Sequence, residues 1–159
     1  MGRKPAKTAT TPAAARTALL DRHLRSYAGY NVKRASNIMQ TNAARTLERF
    51  GLRITTFSAL CVIVDNPDVT QSQLAAALNM ERSNTVLIID ALEEANLIGR
   101  FRVPTDRRSY ALRATLAGIK QRDAAAQALT SSEEERLVHL SLEERAQLVN
   151  LLSRIDPLD

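Results

Sequence analysis

Apolar residues recur at helical spacing along most of the chain, a pattern that predicts a mainly helical protein. A first helix is predicted from about residue 17 to residue 50, where Gly51 ends it. Because this helix is longer than a small core can cover, we expect part of it to pack on another subunit. A second helix over about 54–64 is apolar nearly all round, which is typical of a central position.

Two shorter helices follow, joined by a tight turn. Thr70 and Gln73 form a capping box that opens the first of them, and a turn at 79–80 leads into the second, over about 82–95. The apolar face of the second helix is formed by residues three and four positions apart: Thr85, Ile88, Ile89 and Leu92. This arrangement predicts a helix-turn-helix.

A β-hairpin is predicted directly after it. Residues 98–103 and 110–114 alternate polar and apolar positions with a period of two, and the stretch VPTDRRSY, 103–110, is their loop. A helix-turn-helix followed at once by a hairpin predicts a winged helix. Thr115 then caps a helix that runs into the 130s, where the run SSEEE is expected to form a kink or a cap. A second capping box at Ser141 opens a last helix, to about residue 155.

Composition narrows the class of protein. The chain has 159 residues, one domain's worth, and a single cysteine, Cys61, which excludes an internal disulfide and fits a reducing, cytoplasmic compartment. No apolar run approaches the roughly 20 residues of a membrane span. Of the formal net charge of +5, residues 1–16 carry +4. This segment is predicted to be a disordered basic arm, either simply solvated or in contact with DNA.

The second helix of the helix-turn-helix presents a surface suited to the major groove. Opposite its apolar face lie the candidate DNA-contacting residues Arg82, Ser83, Asn84, Val86 and Leu87. Arginine pairs with guanine or phosphate, asparagine with adenine, and an apolar side chain with the thymine methyl group. The alternative is that Arg82 and Ser83 simply start the helix and that Leu87 joins an apolar contact.

The hairpin tip is the second candidate DNA contact. Arg107 and Arg108 follow Asp106, and arginine is attracted to the negative potential of a narrow minor groove. Asp106 is expected to hold one guanidinium by a charge-assisted hydrogen bond while the other reaches DNA. A solvated turn is the alternative.

The stretch LAAALNMERSNTVLIIDALEEANLIGRFRVPTDRRSYALRATLAG resembles the multiple-antibiotic-resistance regulator (MarR) family of winged-helix transcription regulators. The matching positions are Leu74, Leu78, Asp90, Leu92, Glu93, Leu97, Arg100, Asp106, Arg107, Arg108, Thr115 and Gly118. The chain departs from the family pattern at Glu81, a weaker helix cap, and at Asn96, where the family has glycine. Leu87 and Ala91 replace positions that are often basic, and Ala114 replaces a leucine.

The resemblance implies a homodimer that binds double-stranded DNA at a pseudo-palindromic site. The fold class it implies is mainly α (α+β), a winged helix-turn-helix with long N- and C-terminal dimerisation helices. Residues 17–52 and 115–159 would form the dimerisation region and residues 53–114 the DNA-binding domain. Family members respond to small, often aromatic acids, and for such an effector we expect an aromatic carboxylate or an acyl-coenzyme A thioester.

The effector would lie against Tyr27, Asn31 and Arg34, which share one helical stripe, and against Phe57 and Cys61. The alternative is that Tyr27 belongs to the core and Arg34 is solvated. A thiol-based redox regulator that uses Cys61 is the competing function, although its apolar neighbours favour an inert thiol. No enzyme, cofactor or metal site is predicted, because His23 and His139 stand alone without metal-ligand spacing.

Overall fold

The computed structural model describes residues 20–103 and 106–155, without the side chains of residues 103 and 106–109. It is mostly helical, with one small antiparallel sheet, as predicted. The elements after a 3₁₀ turn at Leu24–Ser26 are α1 (Ala28–Glu48), α2 (Ile54–Asp65), β1 (Val69–Thr70), α3 (Gln71–Ala77), α4 (Arg82–Glu94), β2 (Ile98–Val103), β3 (Asp106–Ala114), α5 (Leu116–Arg136) and α6 (Leu142–Ser153). The chain divides into two compact units, and the boundary falls inside α1, after Arg34.

The first helix is shorter than predicted. It begins at Ala28, and Tyr27 before it has an extended backbone. The Ser26 hydroxyl donates to the His23 carbonyl at 2.7 Å, and the Asn31 amide donates to the carbonyl of residue 25 at 2.8 Å. Polar side chains of this kind compete with helical backbone hydrogen bonds, so the regular helix does not extend to positions before residue 28. The predicted basic arm, 1–16, lies outside the described residues.

The core of the C-terminal unit confirms the central position predicted for α2. Ala59, Leu60 and Ile63 are fully buried there. The cluster around them draws on every element of the winged helix: Leu47, Leu52, Val69, Leu74, Ile89, Leu92, Leu97, Ile98, Leu112 and Ala125. Burial of these apolar side chains is the dominant favourable contribution to folding, and it holds the surrounding helices in place.

Left-handed backbone positions end three helices where the sequence indicated stops. Gly51, Asn79 and Asn96 have φ values of 65°, 49° and 57°. Asparagine tolerates this conformation better than most residues that carry a Cβ atom. Asn96 therefore ends α4 in place of the family's glycine, as the sequence indicated.

The sheet has the strand order β1-β3-β2, and all its pairings are antiparallel. Strand β1 was not predicted, because two residues are too short to show a period of two. Strand β3 begins at Asp106 rather than at residue 110, so the predicted eight-residue loop is wrong. Residues 104–105, which connect the strands, lie outside the described residues.

Helix α5 continues to Arg136, so the prediction of a helix cap at 131–135 is wrong, whereas the alternative of a kink within the helix stays a prediction. The Thr130 and Ser131 hydroxyls donate to carbonyls four residues back, at 3.1 and 3.2 Å, without ending the helix. The helix starts at Thr115, whose hydroxyl accepts the amide of Gly118 at 3.0 Å. A Cβ atom on Gly118 would lie 2.0 Å from the Leu97 carbonyl oxygen, so the glycine permits the helix to contact the backbone just before β2. No helix within the described ranges is long and apolar enough to cross a membrane.

Candidate nucleic-acid interface

Helices α3 and α4 form the predicted helix-turn-helix. The Thr70 hydroxyl accepts the Gln73 amide at 3.3 Å while the Gln73 side chain accepts the Thr70 amide at 2.9 Å, which completes the predicted capping box. The turn closes through the amide of Met80, which donates to the Ala75 carbonyl at 2.9 Å. These local bonds fix where α4 starts relative to α3.

The buried face of α4 decides which of its residues reach solvent. Thr85, Ile89 and Leu92 are buried, as predicted, and Ile88 is half-buried against the same cluster. The exposed residues of α4 include all the candidates on that helix: Arg82, Ser83, Asn84, Val86 and Leu87. The Glu81 side chain makes no capping bond, in agreement with its assignment as a weak cap.

Arg100 on β2 binds two carboxylates of α4, a contact that the sequence pattern does not predict. Its guanidinium pairs with Asp90 and lies 3.3 Å from a carboxylate oxygen of Glu93. These partly exposed pairs add little to stability. They join the hairpin to α4, and they offset negative charge next to a surface that would approach phosphates.

A cleft of about 360 Å³ lies between α3, α4 and the sheet. Its lining residues are mostly polar or basic: Thr70, Gln71, Ser72, Arg82, Val86, Arg100, Tyr110 and Leu112. Val86 is 37% exposed at the edge of this cleft, and Leu87 beside it is 68% exposed. The strand register places Tyr110 opposite Arg102.

The two wing arginines lie in a strand irregularity. Residue 102 pairs with Tyr110, and the next residue of β2 pairs with Asp106. Three residues of β3 stand between these two pairs, among them Arg107 and Arg108. A bulge of this kind bends a strand and re-aims its side chains. The side chains of Asp106, Arg107 and Arg108 lie outside the described residues.

The outer face of the sheet carries a separate charged contact. Arg113 donates to Asp68 at 2.6 Å, and its guanidinium lies 4.9 Å from the centre of the Phe101 ring. The hydrogen bond with Asp68 raises the pKa of Arg113. This contact ties β3 to the turn before β1, on the side of the sheet away from α4.

The N-terminal unit contains three of the five candidate effector residues, and each already has a partner. The Tyr27 hydroxyl lies 3.2 Å from His23 Nε2, and the Asn31 amide caps backbone carbonyls. Arg34 lies over the Tyr30 ring at 5.6 Å and 3.7 Å from Asp21. A hydrogen bond from Arg25 lowers the pKa of Asp21, with desolvation opposing it and Tyr30 adding to it.

The other two candidate effector residues lie on α2. Phe57 packs against the core cluster, and Cys61 is half-buried. Burial raises the pKa of the Cys61 thiol, although the charge of Arg122 opposes the shift. A raised pKa lowers the thiolate fraction at neutral pH, and the thiolate is the reactive form.

Comparison with known proteins identifies the family. The family model "MarR family" matches residues 52–110. A putative transcriptional regulatory protein for the hcr operon of Thauera aromatica is 34% identical over 128 residues, which are 80% of this chain and 77% of the relative. The chain belongs to the MarR family.

Solved structures agree with this assignment to the MarR family. The transcriptional repressor CouR, bound to a 23-mer DNA duplex, is 30% identical, with a TM-score of 0.82 over 88% of this chain and 99% of CouR. CouR from Rhodococcus jostii RHA1 bound to p-coumaroyl-CoA is 25% identical, with a TM-score of 0.75 over 86% of this chain and 96% of that one. The protein is a DNA-binding transcriptional regulator with a winged helix, and not an enzyme.

Proposed function

We propose that this MarR-family protein is a homodimeric repressor that the coenzyme A thioester of a small aromatic acid releases from a pseudo-palindromic operator. The observation that carries the proposal is the similarity to CouR, which extends over at least 86% of this chain. One of those CouR structures holds a DNA duplex and the other p-coumaroyl-CoA. The free aromatic acid is the alternative effector.

The dimer is supported by the exposed apolar surface of α6. This helix has no buried residue, yet it exposes a row of large apolar side chains: Leu142, Leu148, Val149, Leu151 and Leu152. An isolated helix of 12 residues is marginal in water, and an apolar face of this kind marks a protein interface. We assign residues 17–52 and 115–159 to the dimerisation region and residues 53–114 to DNA binding.

The proposed DNA contacts are of two kinds. Arg82, Ser83, Asn84, Val86 and Leu87 would enter the major groove from α4, where all five are exposed. Arg107 and Arg108 would contact phosphate or the minor groove, with Asp106 holding one of them. A two-fold dimer would place two such units on one two-fold operator.

The effector is proposed to act by shifting a population. A ligand releases DNA if its affinity for the conformation that fits the operator is lower than its affinity for the other conformation. Tyr27, Asn31 and Arg34 remain our proposed contacts for it, together with Phe57 and Cys61. The ion pair between Arg34 and Asp21 would then exchange for a pair between Arg34 and an anionic group of the effector.

The test is a binding assay on the DNA upstream of the protein's own gene. Fluorescence anisotropy would follow release of the duplex by aromatic acids and by their coenzyme A thioesters, with free coenzyme A and acetyl-coenzyme A as controls. Release by an aromatic thioester alone is the expected result. DNA binding that none of these compounds disturbs would refute the effector while leaving the DNA-binding role intact.

Matched variants test the effector contacts. Arg34→Gln should weaken the response to the effector at least tenfold with little change in affinity for DNA. Arg22→Gln removes another exposed arginine of the same unit and should respond like the wild type. Equal responses from both variants would remove Arg34 from the site.

A further inference from the structure

Leu87 is the most exposed large apolar side chain on α4. It lies two positions from both Thr85 and Ile89, which are fully buried, and this spacing places it on the opposite side of the helix. Its neighbours one turn before and after, Ser83 and Ala91, are small and also exposed. Leu87 therefore projects farther from the outward surface of α4 than the side chains next to it.

The structure separates Leu87 from Val86, the other apolar candidate on α4. Val86 lines the cleft beside the sheet, where Arg82, Arg100 and Tyr110 surround it. At 37% exposure, its side chain is more covered than that of Leu87. Leu87 does not line that cleft, and at 68% exposure it keeps most of its surface in water.

The chemistry of the major groove limits what Leu87 can accept. Base edges present hydrogen-bond donors and acceptors there, and the C5 methyl group of thymine is their apolar feature. A leucine pressed against an amino group or a carbonyl oxygen would remove water from it and offer no hydrogen bond in return, which is costly. Against a thymine methyl group, the same side chain buries apolar surface on both partners.

We propose that Leu87 is a specificity-determining residue that contacts a thymine methyl group in each half of the operator. The assignment deepens the proposed function and rests on it. Helix α4 carries few charges on its outward face. The Leu87 contact would therefore select the base sequence of the DNA, while Arg82 and the wing arginines attract its phosphate backbone.

The experiment replaces thymine by uracil, which differs from it by the methyl group alone. The probe is a duplex that the wild-type protein selects from a random pool. It is prepared with uracil in place of thymine at one pair of symmetry-related positions at a time. For the wild type, uracil at one symmetric position should lower affinity about fourfold for each methyl group lost. Leu87→Ala should bind the thymine duplex with similarly reduced affinity and no longer distinguish uracil from thymine at that position.

Glu94→Ala, at the exposed C-terminal end of α4 and outside the proposed DNA contacts, is the control, and it should keep the discrimination. Wild-type protein that ignores uracil at every position, or Leu87→Ala that still discriminates, would overturn the assignment. A change in oligomeric state of Leu87→Ala without DNA would place the side chain in a protein interface and would also overturn it. Wild-type protein that selects no sequence at all would instead overturn the proposed operator-binding function, and the assignment with it.

Discussion

Helices α4 and α6 have nearly the same length, 13 and 12 residues, and they are stabilised in opposite ways. Helix α4 buries Thr85, Ile89 and Leu92, yet its N-cap, Glu81, makes no side-chain capping bond. Helix α6 buries no residue, yet Ser141 and Glu144 give it a complete capping box. Tertiary packing therefore holds α4 in place, whereas local signals start α6, whose apolar face stays exposed.

The largest expected change is in the free energy of unfolding, and it tests how the packing of α4 contributes to stability. Ile89→Ala should lower the free energy of unfolding by about 2–5 kcal/mol, because it leaves a cavity in a fully buried position. Leu87→Ala on the same helix should change it by less than about 0.5 kcal/mol, since that side chain is mostly in water. Urea unfolding of the two variants measures both values. Equal losses would mean that α4 is oriented by something other than its buried face.

The next largest expected change is in the dissociation constant of the proposed dimer, and it tests whether α6 lies in the interface. Leu152→Asp should raise the dissociation constant of the dimer at least tenfold, because it places a charge in an apolar interface. Asn150→Asp puts the same charge on the opposite side of α6 and should leave the dimer intact. Sedimentation equilibrium of both variants gives the dissociation constants. A dimer that tolerates both substitutions would exclude α6 from the interface.

A smaller effect tests the two caps. Ser141→Ala removes the hydroxyl that accepts the Glu144 amide at 3.2 Å, and it should lower the free energy of unfolding by about 1 kcal/mol. Glu81→Ser should raise it by about 0.5–1 kcal/mol, because serine supplies the acceptor that α4 lacks. Thermal unfolding followed by circular dichroism reports both changes. Effects of the same sign would contradict the contrast between the helices.

The smallest effect concerns Cys61, on which the redox alternative depends. Burial raises the pKa of its thiol, so iodoacetamide should alkylate the folded protein more slowly than the urea-unfolded protein at neutral pH. The folded state also holds the proton more tightly. Its stability should therefore fall slightly as the pH rises through the ordinary pKa of a thiol, and Cys61→Ala should abolish that fall. Alkylation faster than in the unfolded protein would revive the redox hypothesis.

The order of the elements could be predicted because its signals are local. The capping residues Thr70, Thr115 and Ser141 begin helices where the sequence indicated, and Asn96 ends one. In its capping role, each of these residues bonds backbone groups within four positions of itself, so the sequence shows the pattern. The buried face of α4 follows from its 3.6-residue period for the same reason.

The errors lie where distant parts of the chain compete with local preference. Strand β1 has two residues and exists because Val69 and Thr70 pair with β3, more than 40 positions away. The late start of the first helix, at residue 28, is a different kind of error, because the side chains that take up backbone groups there lie only three and six positions from their partners. The ion pairs of Arg100 join strand β2 to α4, and a linear pattern does not show them.

The family, the winged helix and the set of exposed candidates on α4 therefore follow from the amino-acid pattern alone, since composition, period and caps are local properties. The tertiary structure decided where each of those candidates lies relative to the sheet. It placed Val86 in a cleft beside Arg100 and Tyr110, and it left Leu87 in water. That distinction depends on the distance between α4 and the sheet, which the shared core sets and no local pattern encodes.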